Sequence, residues 1–520
     1  MSRSATLLRN ITSNWIGFVV NAAVTLALTP YVLHELGTAR YGIWILTSSF
    51  IGYYGFLDLG FRAGVTQYLT RYLALRDYER ASDCLSSSVV VLTLLGLVMT
   101  ALSIVGAYTA PHLFSIPSGM VGEAFWCILI VGLSSAVQCV FSPFAAMFTS
   151  LQRFDISNLI GIGSRLLTAA GIFAALKTGH GLIGVSIASC GANVIEFLIR
   201  WRVALRLAPE LDVTWRRAKL IRLREIASFG GWNFLISVNF FIYQYVPNIL
   251  IGAFMPIAAV GHYALATGLS RQVNSVLSPV PQVVYPAATE LHVQNDLKTL
   301  ENLYHKASRL MILVMIPVVL IAAFWADDFY RLWIGEKYLS GVPFQSVAVI
   351  FQILLISTVT CFSSSVAQQI IMGTGRVRLV STLLIIGSVI NLSFSVILIR
   401  PYGLAGVAVA TVIASVLIDM IAMPFMLQRV LGLSASAFIL NSCIRPAAAG
   451  LLQAVIMYCI KLAGPAGNFT YLILQGTLAA VGAAAIFLVI GLTKEERHRF
   501  LFEPLRRIRK NRLAIESVEP

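Results

Sequence analysis

The sequence predicts an all-α polytopic membrane protein of about fourteen transmembrane helices. Of its 520 residues 58% are hydrophobic and only 12% charged, where soluble domains carry roughly 25% charged residues. Mean hydropathy is +0.82, and the apolar residues fall into continuous runs near the ~20 residues that cross a ~30 Å hydrocarbon layer. Continuous runs, unlike alternating ones, require helices, because only a helix satisfies its backbone within one segment.

Taken in order, the first run (15–33) lacks an Ala-x-Ala cleavage signal and reads as a retained helix. Runs 42–57, 89–107, 125–148, 156–176 and 182–199 complete a first set of six. A second six follows at 232–254, 258–285, 310–325, 347–372, 379–399 and 404–427, then two more at 446–460 and 471–492. The ninth and thirteenth are short. With the N-terminus cytoplasmic, thirty of the thirty-eight Lys and Arg fall on the inside, six on the outside, and Arg165 and Arg271 within spans. That asymmetry satisfies the positive-inside rule and needs an even number of helices, placing both termini in the cytoplasm. The net charge of +15 is thereby absorbed by topology and implies no nucleic-acid partner. The basic tail from Lys494 to Arg512 interleaves Phe500, Leu501, Phe502 and Leu505, suiting an anionic leaflet.

Outside loops are short, the longest being 326–346, so no extramembrane catalytic domain fits there. Asp327-Asp328 is an adjacent, solitary pair, unlike a metal-dependent transferase site. The seven cysteines contain no C-x-x-C and read as apolar fillers. His34, His112, His180 and His262 lie at outside helix ends without ligand spacing. No metal, cofactor or enzymatic activity is expected.

An internal repeat follows. Gly181-Leu-Ile-Gly-Val and Gly403-Leu-Ala-Gly-Val share a frame 222 residues apart, while Gly42 with Gly261 and Asp77 with Asp296 share an offset of 219. Six spans per copy is even, so both copies keep one orientation. This predicts two six-helix bundles, 1–226 and 227–440, related by a pseudo-two-fold axis along the membrane normal. Two added helices (441–492) and a cytoplasmic tail (493–520) follow. Transporters of this design bind substrate between the bundles and alternate access by rocking.

Three local marks accompany that order of parts. They are Phe56-Leu57-Asp58-Leu59-Gly60 closing span two, Leu332-Trp333-Ile334-Gly335-Glu336-Lys337-Tyr338 after span nine, and the paired Gly-Leu-x-Gly-Val turns. Together they resemble the polysaccharide-transporter branch (Wzx-like O-antigen and exopolysaccharide flippases) of the superfamily that includes MATE exporters and the lipid II flippase MurJ. The resemblance implies flipping of an undecaprenyl-pyrophosphate-linked oligosaccharide across the bacterial inner membrane for surface polysaccharide biosynthesis. The partners it implies are that lipid-linked substrate, membrane lipids, and the polymerase and glycosyltransferases of the pathway. Two other classes stay open, a cation-coupled MATE-like exporter of small organic molecules and a polytopic glycan polymerase or glycosyltransferase.

Intramembrane charges are the candidate site. A charge at mid-span costs about 2.5–3.5 kcal/mol, so Arg271 in span eight and Arg165 in span five either meet a substrate pyrophosphate or pair with an internal carboxylate. The resemblance adds a cationic lining of the kind expected for lipid-pyrophosphate flippases. Arg62, one turn after Asp58, either gathers the anionic head or pairs with Asp58 at i,i+4. Glu196 and Asp419 occupy nearly equivalent repeat positions and are candidates for coupling sites or counter-ions.

Overall fold

The computed structural model describes residues 3–57, 61–432, 438, 442–462 and 464–491. Asp58 and the basic tail lie outside the described residues. Helices α1 (Arg3–Leu57), α2 (Phe61–Ala74), α3 (Tyr78–Leu113), α4 (Val121–Ser150), α5 (Phe154–Lys177), α6 (Gly181–Leu207) and α7 (Leu220–Phe254) come first. Then follow α8 (Ile257–Leu277), α9 (Pro279–Gln282), α10 (Val284–Val293), α11 (Leu297–Phe324), α12 (Ala326–Ile334) and α13 (Val347–Gly373). Last are α14 (Val377–Ser415), α15 (Met423–Leu431), α16 (Ile444–Leu462) and α17 (Phe469–Ile486). No strand occurs among the described residues.

Ten helical stretches among the described residues are long and apolar enough to cross a membrane. Two of them, Thr12–Phe50 and Val377–Leu431, each cover two of the apolar runs, and Val238–Phe254 is a shorter apolar helix. The paired runs are separated by a break at Gly37 (φ 73°) in α1 and at Gly403 (φ 55°) in α14. A side chain at either φ would be strained, so glycine permits the reversal without a long loop. The eighth run needs correction: its helix stops at Leu277, not 285, and the short helices α9 and α10 follow. Pro279 and Pro281 remove two backbone donors there and end the α-helical ladder.

The polar segments between spans also hold structure that hydropathy alone missed. Helix α2 leads to Asp77, which caps α3 by accepting from the Arg80 N–H at 3.0 Å. Helix α10 leads to Asp296, which caps α11 by accepting from the Thr299 N–H at 3.0 Å. The two caps have nearly the same backbone, φ −86°, ψ 75° and φ −86°, ψ 73°. Each follows a left-handed residue, Arg76 at φ 57° and Asn295 at φ 55°. Gly181 and Gly403, the other repeat marks, match at φ 54° and 55°. The offsets read in the sequence therefore recur as backbone conformation.

The chain divides into two compact units. The first comprises Met1–Gly268, Gly341–Ile350 and Ser381–Ala414; the second comprises Leu269–Ser340, Phe351–Val380 and Ser415–Pro520. Inside the first, Gly42 of α1 meets the Ile257 carbonyl, while a Cβ on Gly261 of α8 would lie 2.8 Å from the Thr38 carbonyl. Thr38 and Ile257 are themselves 219 apart, so the crossing is reciprocal, as in an isologous contact. Glycine at both places lets the backbones touch, the small-residue packing common in membranes. The apolar core of this unit gathers Leu69 and Tyr72 of α2, Leu85 of α3, Phe148 of α4, Ala204 of α6 and Ile226 of α7.

In the second unit the last two helices are fastened to α11 and α12. Trp325 Nε1 donates to Gln475 Oε1 at 2.7 Å, and Lys461 Nζ donates to the Phe324 carbonyl at 2.6 Å. Asp328, nearly fully buried, faces Arg331 at 3.4 Å and Lys461 at 3.7 Å. Its carboxylate is thus enclosed by two cations.

Candidate functional site

Polar or small residues recur on one face of α1: Asn14, Gly17, Asn21 and Thr25 are spaced three or four apart. Ser157, Gly161 and Arg165 repeat that spacing on α5, with Asn158 beside them, and Glu196 and Arg200 do so on α6. Such a period places each set on one side of its helix. The three faces enclose a cavity of about 390 Å³ inside the first unit, also lined by Phe18.

The wall is built on two kinds of bond. Arg200 is committed: its Nε donates to Glu196 Oε1 at 2.8 Å, and its Nη1 donates to the Ser157 hydroxyl at 2.8 Å. The side chains of Arg200 and Glu196 are only 13% and 18% exposed, so this pair is structural as well as polar. Asn158 Nδ2 donates to Asn14 Oδ1 at 2.6 Å and to the Ser13 hydroxyl at 3.0 Å, tying α5 to α1. Both donors of the Asn158 amide are used in this way.

Arg165 differs. Its Nη2 donates to the Thr25 hydroxyl at 3.3 Å, a neutral partner, and no carboxylate pairs with it among the described residues. Glu196, the nearest candidate, is taken by Arg200. The lining therefore holds two guanidiniums against one carboxylate, a net positive charge, beside three carboxamides. It can accept an anion with hydroxyl or amide groups around it.

The other predicted residues lie elsewhere. Arg271 is an exposed residue in the second unit, two turns from the end of α8 and not at mid-span, because the helix stops at Leu277. Its carbonyl accepts from the Ser275 hydroxyl at 2.8 Å. Asp419 also belongs to the second unit and accepts from the Ser364 hydroxyl at 3.1 Å. It sits where the helix widens over Val416–Ala422 into a π-helical turn, a feature frequent at functional sites. Arg62 lies on α2 but its side chain, like the whole of Asp58, is outside the described residues. The structure brings together Arg165 and Glu196, which the sequence had named separately; sequence reasoning missed Arg200 and Asn158. The Glu196/Arg200 spacing of four was the available signal for the first; a lone asparagine gave none for the second.

The helical architecture and its apolar stretches define a multi-pass membrane protein. Its fold is shared with the lipid II flippase MurJ in an inward closed conformation, at a TM-score of 0.67 and 17% identity over 91% of this chain and 98% of that one. An inward-facing multidrug resistance MATE family transporter matches at 0.64 and 15% identity, over 82% of this chain and 100% of that one. The chain belongs to the family described as "Polysaccharide biosynthesis protein", which matches residues 36–343. Among its relatives, the uncharacterized membrane protein EpsK of Bacillus subtilis is 20% identical over 97% of this chain and 99% of its own length. A putative O-antigen transporter of Shigella flexneri is 18% identical over 78% of this chain and 94% of its own. A probable low-salt glycan biosynthesis flippase, Agl15 of Haloferax volcanii, is 18% identical over 78% and 81%.

Proposed function

We propose that this protein flips a lipid-linked oligosaccharide, carried on undecaprenyl pyrophosphate, from the cytoplasmic to the periplasmic leaflet of a bacterial inner membrane. The observation that carries the reading is the cavity of the first unit. Arg165 offers a guanidinium held by a hydroxyl alone, the geometry for an incoming phosphate. The amides of Asn14, Asn21 and Asn158 offer donors and acceptors to sugar hydroxyls. Family membership and the relatives' names support the same class.

In this reading fourteen helices cross the membrane and both termini are cytoplasmic. Two six-helix bundles, 1–226 and 227–440, alternate access, with 441–492 beside the polyprenyl chain. Arg271 and Arg62 take part in handling the anionic head. Asp419, whose partner is the neutral Ser364, and Asp58 are coupling or counter-ion sites, and Glu196 fixes Arg200. The protein forms and breaks no covalent bond; polymerase and glycosyltransferases of the pathway supply and consume its substrate.

The test is the sidedness of the lipid-linked saccharide in cells lacking the gene. Intermediate should accumulate facing the cytoplasm and return to the periplasmic face on complementation. Unchanged periplasmic exposure together with lost resistance to organic cations would overturn the reading in favour of the exporter class.

A further inference from the structure

Helix α3 carries an unusual row of buried polar residues, Ser82, Asp83, Ser86 and Ser87, each at most 2% exposed. They hold the segment that joins α6 to α7. Ser82 accepts from the Asp212 N–H at 3.1 Å, Ser86 from the Thr214 N–H at 3.2 Å and Ser87 from the Lys219 N–H at 2.9 Å. Asp83 takes the Lys219 ammonium at 2.6 Å and faces Arg217 at 3.8 Å. A connecting loop is thereby stitched to a helix along its length.

What the stitching presents outward is apolar and basic. Trp215 is 75% exposed, Leu220 82% and Ile221 63%. Arg216 stacks on Trp215 with its guanidinium carbon 5.4 Å from the ring centre. Arg216 and Arg224 are exposed and have no ion pair among the described residues, in contrast to Arg217, which Asp212 and Asp83 hold. Depth follows from the helix beneath. The continuous apolar run of α3 begins at Val89, so Ser86 and Ser87 stand about 3–5 Å beyond its edge at 1.5 Å per residue. The headgroup layer on each side of the hydrocarbon is about 5–8 Å thick. Trp215 and Leu220, one residue past the stitched Thr214 and Lys219, lie at that level. An exposed tryptophan stacked by an arginine without an ion pair among the described residues, at headgroup depth, matches the chemistry of an anionic interface.

We propose that residues 212–224 form an ordered anchor for anionic phospholipid headgroups, held in place by the buried serine and aspartate row of α3. The claim needs only that the chain spans a membrane, and is independent of what it transports. Its test uses the full chain in nanodiscs containing phosphatidylcholine and phosphatidylglycerol, with bromine on one lipid at a time. The Trp215 signal is the difference between wild type and Trp215→Phe. Brominated phosphatidylglycerol should quench that signal more strongly than brominated phosphatidylcholine. Arg216→Gln should reduce the preference about fivefold, the worth of one basic residue near such a surface. Both lipids quenching equally, or neither doing so, would overturn the proposal. So would protection of Trp215 in native membranes but not in nanodiscs, which would assign the patch to a protein. Arg216 is exposed, so its replacement leaves the α3 ladder intact.

Discussion

Replacing Arg165 tests whether the arginine proposed to bind ligand can be separated from the structural Arg200 within a single cavity. Arg165 has a hydroxyl partner at 3.3 Å, so Arg165→Gln strands no carboxylate and should leave folded yield unchanged. Hydrogen bonds to charged groups contribute about 1.5–3 kcal/mol, and 1.4 kcal/mol is tenfold in affinity. Loss of the guanidinium should therefore weaken binding of an isoprenyl pyrophosphate about 10- to 150-fold. Arg200→Gln should do the opposite. It leaves Glu196 without its 2.8 Å partner in a mostly buried setting, where breaking a pair costs about 3 kcal/mol or more. The loss should appear first as reduced thermal stability. The assay titrates purified protein in nanodiscs with farnesyl pyrophosphate, taking farnesol as the uncharged control, beside a thermal melt of each variant. Arg165→Gln binding within twofold of wild type, or melting as low as Arg200→Gln, would refute the division of roles.

Two further outcomes test the cavity and its surroundings. At Gly161 an added Cβ meets only Arg200 Nη2, at 3.5 Å, an ordinary contact; Gly161→Val should keep membrane protein levels while filling the cavity, and loss of surface glycan at normal abundance is the result to look for. On the loop side, burial pushes the Glu225 carboxyl up, but hydrogen bonds from Arg222 and Tyr72, with the charges of Arg222 and Arg80, more than reverse this and leave it below its ordinary value. A lowered carboxylate stabilises fully above its unfolded value of about 4.3 and loses that contribution as pH falls through the folded value. Acid melts should therefore show wild type losing an advantage over Glu225→Gln as pH drops below about 4, with the difference constant above about 5.

Much of this protein was legible in its sequence because a membrane allows few backbone solutions. Hydrocarbon demands internally bonded helices, so continuous apolar runs fix the fold class. Even the repeat could be found from glycines and an aspartate, since a left-handed turn and an N-cap each require particular residue types. Arg165 was visible as an exception to topology, within a helix long and apolar enough to cross a membrane.

Side-chain pairing was not legible, because it depends on which helix faces lie together. The i,i+4 spacing offered Arg200 as a partner for Glu196, but the sequence could not show that this bond forms or that Arg165 on another helix is left with the Thr25 hydroxyl. Nor could it reveal that Asn158 reaches Asn14, or that Ser82, Ser86 and Ser87 meet backbone donors some 130 positions away. The end of α8 was misplaced because hydropathy does not register the donors that Pro279 and Pro281 remove. Hydrophobic periodicity thus determined the solvent of this chain and the number of its apolar runs. Tertiary packing alone decided which polar groups meet across helices, Arg165 with Thr25 and Asn158 with Asn14, because that choice is made by distances of about 3 Å between residues far apart in sequence.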